Sequence, residues 1–193
     1  MSKSKYGQDA ERIAALRATR QSDVERWSSL DSHNEGWVNR VRMAVRFIPQ
    51  ESRVVEIGAG RAFMRELLPP GCKYVPADLV AHQPDFLQVD LNADGWELPE
   101  ADVLVALGTL EYVYDVPATL KKLASRATRL IVTYCCRVPE ADAEARLRHG
   151  WLSDYTEDQM IAHLESIPLK SLRNVAFQNE AYFKQIMWVG DVR

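Results

Sequence analysis

A chain of 193 residues with a formal net charge of −3 can bury one sizeable core and lacks the basic excess that a nucleic-acid surface usually carries. A hydrophobic fraction of 47% argues against wholesale disorder, and no apolar run reaches the length of a membrane span. The opening Met1-Ser2-Lys3-Ser4-Lys5-Tyr6-Gly7 has no signal-peptide core, and three cysteines in no zinc or disulfide spacing suit a reducing compartment, so a cytoplasmic location is expected.

No composition shift divides the chain, and a single domain is expected, with a helical cap over residues 1–49 and an α/β core over 50–193. From about Gln8 to Leu30, Ile13, Leu16, Val24, Trp27 and Leu30 recur at helical spacing and predict one helix or two. Ser32 or Asn34 is a candidate cap for the next, whose face is Trp37, Val41, Ala44, Val45 and Ile48 and whose end is Pro49. Arginines crowd this section (Arg12, Arg17, Arg20, Arg26, Arg40, Arg42, Arg46), and a solvated helix face is the commoner meaning of such a run. An anionic-substrate surface is the alternative. Trp27 and Trp37 read as core before they read as pocket walls.

Arg53-Val54-Val55-Glu56-Ile57-Gly58-Ala59-Gly60-Arg61 then runs a β-branched segment into paired glycines, followed by apolar Ala62, Phe63, Met64, Leu67 and Leu68. Strand, tight turn and helix are predicted, with Gly60 allowing a ligand close to the backbone. Pro69-Pro70-Gly71 stops the helix. A second strand, Lys73 to Asp78, holds Pro76, which is unusual inside a ladder. Asp78 ends that strand, where a carboxylate can accept both hydroxyls of a ribose. A nucleoside-containing cofactor is therefore expected at the carboxyl edge of the sheet.

The pattern is not that of a dinucleotide. Phe63 stands where G-x-G-x-x-G requires its third glycine, and Glu56 precedes the turn where a pyrophosphate would be repelled. Acidic-x-Gly-x-Gly is the first motif of the class I S-adenosylmethionine-dependent methyltransferases, and Glu56-Ile57-Gly58-Ala59-Gly60 resembles it. The resemblance implies S-adenosylmethionine as cofactor, S-adenosylhomocysteine as product, and a cofactor site of Glu56, Gly58, Ala59, Gly60, Asp78, Leu79, Asp90, Leu91 and Leu107. It implies Asp78 on the ribose and Asp90, after the third strand, near the adenine amino group. It also implies a Rossmann-like, doubly wound seven-stranded sheet, mostly parallel with an antiparallel last strand, preceded by N-terminal helices.

Only a few residues separate Asp78 from the third strand, so the helix usual there is missing or reduced to a turn. The fourth strand, Ala101 to Leu107, enters Gly108-Thr109-Leu110-Glu111-Tyr112-Val113, where small-molecule relatives often carry Leu-Glu-His-Val. Tyr112 replaces that His. Asp115 and Pro117 open a helix through Leu123. Arg129 to Tyr134 reads as a buried fifth strand, and the adjacent Cys135-Cys136 as core. A short polar helix to His149 ends at Gly150, and Thr156-Glu157-Asp158-Gln159 is a capping box opening another. Two last strands meet in a hairpin near Asn179.

Methyl transfer from a sulfonium needs alignment more than acid–base help, so no single catalytic group announces itself. Glu111, Tyr112 and His149 are the catalytic candidates, with Tyr134 and Tyr155 behind them, and no metal ligands are expected. The loop after the fourth strand lacks the Asn/Asp-Pro-Pro-Tyr/Phe of base-modifying enzymes, so the expected partner is a small-molecule acceptor and not nucleic acid. The acceptor's identity and the oligomeric state stay open. A non-catalytic cofactor-binding relative and a nucleotide-dependent oxidoreductase are the alternatives.

Overall fold

The central strands are apolar in every position that matters, because both faces of the sheet are covered. In β1 (Arg53–Ile57) and β4 (Ala101–Ala106), Val54, Val103 and Val105 point to one face, and Val55, Ile57, Leu104 and Ala106 to the other. The computed structural model describes residues 10–29, 37–139, 143–180 and 183–192. Its remaining strands are β2 (Lys73–Asp78), β3 (Leu87–Gln88), β5 (Ala127–Arg137), β6 (Leu169–Glu180) and β7 (Phe183–Val192). They form one seven-stranded sheet in the order β3-β2-β1-β4-β5-β7-β6. Strands β1 to β5 pair in parallel, and β7 lies antiparallel between β5 and β6. The chain leaves β1 outward and returns to β4 on its other side, so the carboxyl ends of these two strands flank a topological switch point.

One face is covered by α4 (Val116–Ala124) and α6 (Glu157–Glu165), whose Leu120, Leu123, Met160 and Leu164 pack on Leu104, Val132 and Trp188. Asp115 accepts the Ala118 N–H at 3.0 Å to start α4, and Thr156 and Gln159 close a full capping box on α6. The other face receives α3 (Val38–Ala44) through Val41 and Ala44, with Met64 and Met187. It is thinner than expected. The segment after the glycine turn forms one 3-10 turn, Phe63–Glu66, instead of an α-helix. Ala62 enters it in a left-handed conformation (φ 54°), and the two prolines that follow leave no room for a second turn. No helix forms between β2 and β4. Pro76 pairs with Glu56 on one side only, because β3 begins to pair at Ala77, so its missing N–H costs no ladder bond outward.

The leading section folds over the carboxyl edge as α1 (Ala10–Thr19), α2 (Val24–Trp27) and α3. Arg12 and Arg17 are tied inward, while Arg20, Arg42 and Arg46 stay exposed as a solvated face would have them. Arg12 makes a forked pair with buried Asp23 at 2.7 and 2.8 Å, and Arg17 donates twice to the Trp151 carbonyl. The Ser32 and Asn34 cap positions lie outside the described residues. The short helix ahead of His149 is α5 (Ala143–Arg148). Cys135 and Cys136 are buried in β5, and no metal-holding cluster occurs among the described residues. No helix among these is long and apolar enough to cross a membrane.

Candidate binding cleft

At the end of β1 the chain must turn under the ends of β2 and β4 at once. Gly58 (φ +72°) donates its N–H to the Ala77 carbonyl at 2.9 Å, and a Cβ there would lie 2.2 Å from Thr109 Oγ1. The Thr109 hydroxyl in turn donates to the Ile57 carbonyl at 3.0 Å. Glycine is thus required at 58 by conformation and by space. Two residues on, the Gly60 N–H donates to Asp78 Oδ2 at 2.7 Å, and the Leu79 N–H donates to Asp78 Oδ1 at 2.7 Å. The Asp78 carboxylate is therefore locked in orientation by two backbone N–H groups.

Glu56 stands beneath the turn, 4% exposed, and accepts the Tyr74 hydroxyl on Oε2. Burial pushes its carboxyl up to about 8, against the pull of the Tyr74 hydrogen bond and the Arg40 charge, with Asp78 adding a smaller push. Asp90 Oδ1 accepts the Ser22 hydroxyl at 2.6 Å and the Asn92 N–H at 2.9 Å. Asn92 also donates to Ser22 Oγ and to the Tyr112 carbonyl, so the leading helices are bonded to the cleft wall itself.

The far end is aromatic and cationic. Trp27 and Tyr112 meet edge to face at 4.9 Å, with the Arg26 guanidinium over both rings. Arg40 lies over the Trp37 ring at 4.8 Å and against Gly108, where a Cβ would fall 2.4 Å from its Nη1. Burial lowers the Arg40 pKa, while Glu111, Cys135, Tyr112 and Glu56 oppose that shift. The space between these walls, out to the open mouth, is about 860 Å³.

Glu56, Gly58, Ala59, Gly60, Asp78, Leu79, Asp90, Leu91, Leu107 and Tyr112 all line this one cleft. Glu111 and His149 are not in its lining. Glu111 is 1% exposed, with Oε1 accepting the Cys135 N–H at 2.8 Å, and burial raises its pKa. His149 stacks on Trp151 at 4.7 Å, and burial and three arginines hold its pKa down. Tyr112 donates to the His149 carbonyl and is pushed up to about 12 by burial. Tyr134 is fully buried, within hydrogen-bonding distance of Ser153. Trp27 and Trp37 are pocket walls, not core. Sequence reasoning missed Ser22, Thr109 and Arg40 as cleft residues. For Arg40 a signal existed: it falls between Trp37 and Ala44 at helical spacing, on the apolar stripe of α3.

No family model matches the sequence, and no curated protein does either. Solved structures do. The N-terminal domain of EvdMO1 with SAH bound is 15% identical, with a TM-score of 0.61 over 98% of this chain and 100% of that one. Magnesium protoporphyrin IX methyltransferase from Synechocystis PCC 6803 with bound SAH is 15% identical, with a TM-score of 0.63 over 95% and 100%. Human N-acetylserotonin methyltransferase in complex with SAM is 16% identical, with a TM-score of 0.62 over 96% of this chain and 60% of that one. The chain has the class I methyltransferase fold.

Proposed function

We propose that this protein is a cytoplasmic S-adenosylmethionine-dependent methyltransferase that moves a methyl group by in-line displacement to a small-molecule acceptor. The observation that carries the reading is the pair of buried carboxylates, Glu56 and Asp78, on either side of the glycine turn. A pyrophosphate laid on this turn would meet the Asp78 charge and oppose ionisation of Glu56, whereas a cationic ligand favours it. A pyrophosphate would also find no α-helix N-terminus to hold it, since a single 3-10 turn follows. A ligand with a ribose, an ammonium and a sulfonium suits the same surroundings.

S-adenosylmethionine supplies a methyl group on a positively charged sulfur that leaves as a neutral thioether. Asp78, already oriented by two backbone N–H groups, accepts the ribose hydroxyls. Glu56 faces the ammonium end, and Asp90, with Leu79 and Leu91, borders the adenine. Trp27, Trp37 and Tyr112 wall the acceptor side from water. Glu111 and His149 lie outside the cleft, and Tyr112 holds its proton against the His149 carbonyl. Positioning, worth up to about 7–11 kcal/mol, is then the chain's main contribution, and the acceptor arrives with its lone pair available.

Calorimetric titration with S-adenosylmethionine, S-adenosylhomocysteine and NAD tests this on wild type and Asp78→Ala. Micromolar binding of the first two, lost in the variant and absent for NAD, is expected. Well-folded wild type that binds neither sulfur compound would sink the reading. Conversion of S-adenosylmethionine to S-adenosylhomocysteine in cell extract separates an enzyme from a relative that only binds.

A further inference from the structure

The edge of the sheet away from the cleft carries a second cavity, walled by β5, β6, β7 and the chain leaving α3. Strand pairing sets it out. Arg129 lies opposite Asp191, Asp191 opposite Ser171, and Val189 opposite Arg173, so these side chains share one face of the sheet. A 3-10 turn, Val45–Phe47, continues α3 over that face and brings Arg46, Phe47, Ile48 and Pro49 to the same cavity. The space enclosed, out to its mouth, is about 610 Å³, which is the size of a small-ligand site.

Its charge is one-sided. The one carboxylate of the lining, Asp191, is already spent: Arg129 Nε donates to Oδ1 at 2.6 Å, and the Ser171 hydroxyl to Oδ2 at 3.0 Å. The Arg129 hydrogen bond holds that carboxyl below its ordinary range, and the Ser171 hydroxyl and the Arg173 charge add to this. Arg129 Nη1 is spent on the Phe47 carbonyl at 2.8 Å, and its Nη2 has no hydrogen bond among the described residues. Arg46 and Arg173 are exposed, and neither makes a hydrogen bond or ion pair with a described residue. Three guanidiniums against one carboxylate leave the lining with two positive charges in excess, on a chain whose net charge is −3. The carbonyl end of α3 accounts for Arg46 alone, since Arg173 comes from β6 and Arg129 from β5. Phe47, Ile48, Pro49 and Val189 put an apolar wall beside the cations.

From this arrangement we infer a second binding site, for a small phosphomonoester, on the sheet edge remote from the cleft. A phosphomonoester carries about −1.5 to −2 charges at pH 7, which matches the excess, whereas a single carboxylate would leave part of it uncompensated. Guanidinium forks suit its oxygens, and Arg46, Arg173 and Arg129 Nη2 supply donors that the protein does not use itself. Its organic group lies on the apolar wall. The two sites share no lining residue, although α3 runs from one to the other: Trp37 and Val41 line the cleft, and Arg46 and Phe47 line the cavity.

The test uses the full chain as wild type, Arg46→Met, Arg173→Met and the double variant, each shown to be folded by its near-ultraviolet circular dichroism. Both positions are exposed, so neither change disturbs the core. Calorimetry at constant ionic strength compares phenyl phosphate with inorganic phosphate and with benzoate, with and without saturating S-adenosylhomocysteine. Wild type should bind phenyl phosphate at least about tenfold more tightly than either of the other anions. Each single variant should lose about tenfold and the double variant should show no binding, while S-adenosylhomocysteine displaces nothing. Phenyl phosphate bound no better than inorganic phosphate would mark an adventitious ion only and overturns the inference. So does a folded double variant that keeps the wild-type affinity, or displacement of phenyl phosphate by S-adenosylhomocysteine. Wild type that binds neither sulfur compound would sink the methyltransferase reading, and the anion comparison would still decide this site.

Discussion

Asp78 and Arg40 stand at opposite ends of one cleft and are held in opposite ways. Both Asp78 oxygens accept a backbone N–H, from Gly60 and Leu79, so its orientation is set by the same turn that shapes the cleft. Arg40 is positioned by packing, on Trp37 and Gly108, and its Nε has no hydrogen-bond partner among the described residues. Glu56, between them, is buried and its carboxyl is pushed up to about 8. One end has its polar groups satisfied before any ligand arrives. At the other the guanidinium rests on an aromatic face and no described backbone group fixes its orientation.

The largest effect should come from breaking the satisfied end. Asp78→Ala removes the proposed ribose acceptor and leaves two N–H groups, of Gly60 and Leu79, without their partner. A loss of about 3 kcal/mol or more in S-adenosylhomocysteine binding, over a hundredfold by calorimetry, is expected. Asp78→Asn, which keeps the shape, should lose less. Equal losses would mean that charge alone, and not the locked geometry, carries this end.

Next is the turn that sets both ends. In Gly58→Ala the new methyl meets Thr109 Oγ1 and the backbone must hold φ +72°. Strain of about 1–2 kcal/mol from conformation adds to the clash, so a stability loss of about 2–4 kcal/mol is expected in urea unfolding. The double variant Gly58→Ala with Thr109→Ala relieves the closest contacts, leaving the Thr109 Cβ position at 3.1 Å, and retains the conformational strain. Recovery of roughly half the loss is expected, and full recovery would show that the left-handed conformation costs little here.

These contrasts also explain what the sequence revealed. The strand into Gly58, the cap at Asp115 and the box at Thr156 are short-range signals whose cause lies within a few residues, and each formed as read. The 3-10 turn at Phe63–Glu66 was hidden because Phe63, Met64, Leu67 and Leu68 keep helical spacing, while the prolines allow barely a turn. The Asp78 end of the cleft was legible because its residues come from successive strand ends with a fixed order. The Arg40 end was not, since an arginine among arginines reads as solvent-facing, and only the packing of α3 over Gly108 shows otherwise. Glu111 shows the reverse: a carboxylate in the loop after β4 turns under the cleft instead of into its lining.

The smallest effect is a proton. Glu56 has a folded-state pKa of about 8 against an ordinary value of 4.5, so the folded protein binds a proton across that window that the unfolded chain releases. Its contribution to stability is therefore full below about 4.5 and is lost as pH rises through 8. A ligand ammonium reverses the preference, because it favours the ionised carboxylate beside it. Binding of S-adenosylhomocysteine at pH 7 should then release close to one proton, seen as a dependence of the calorimetric heat on buffer ionisation enthalpy. Affinity should rise by up to about tenfold per pH unit toward 8 and level off above it. Glu56→Gln, which still accepts the Tyr74 hydroxyl, should abolish both the proton release and the slope. A slope that survives in Glu56→Gln would assign the titration to another group and leave Glu56 a packing residue of the turn.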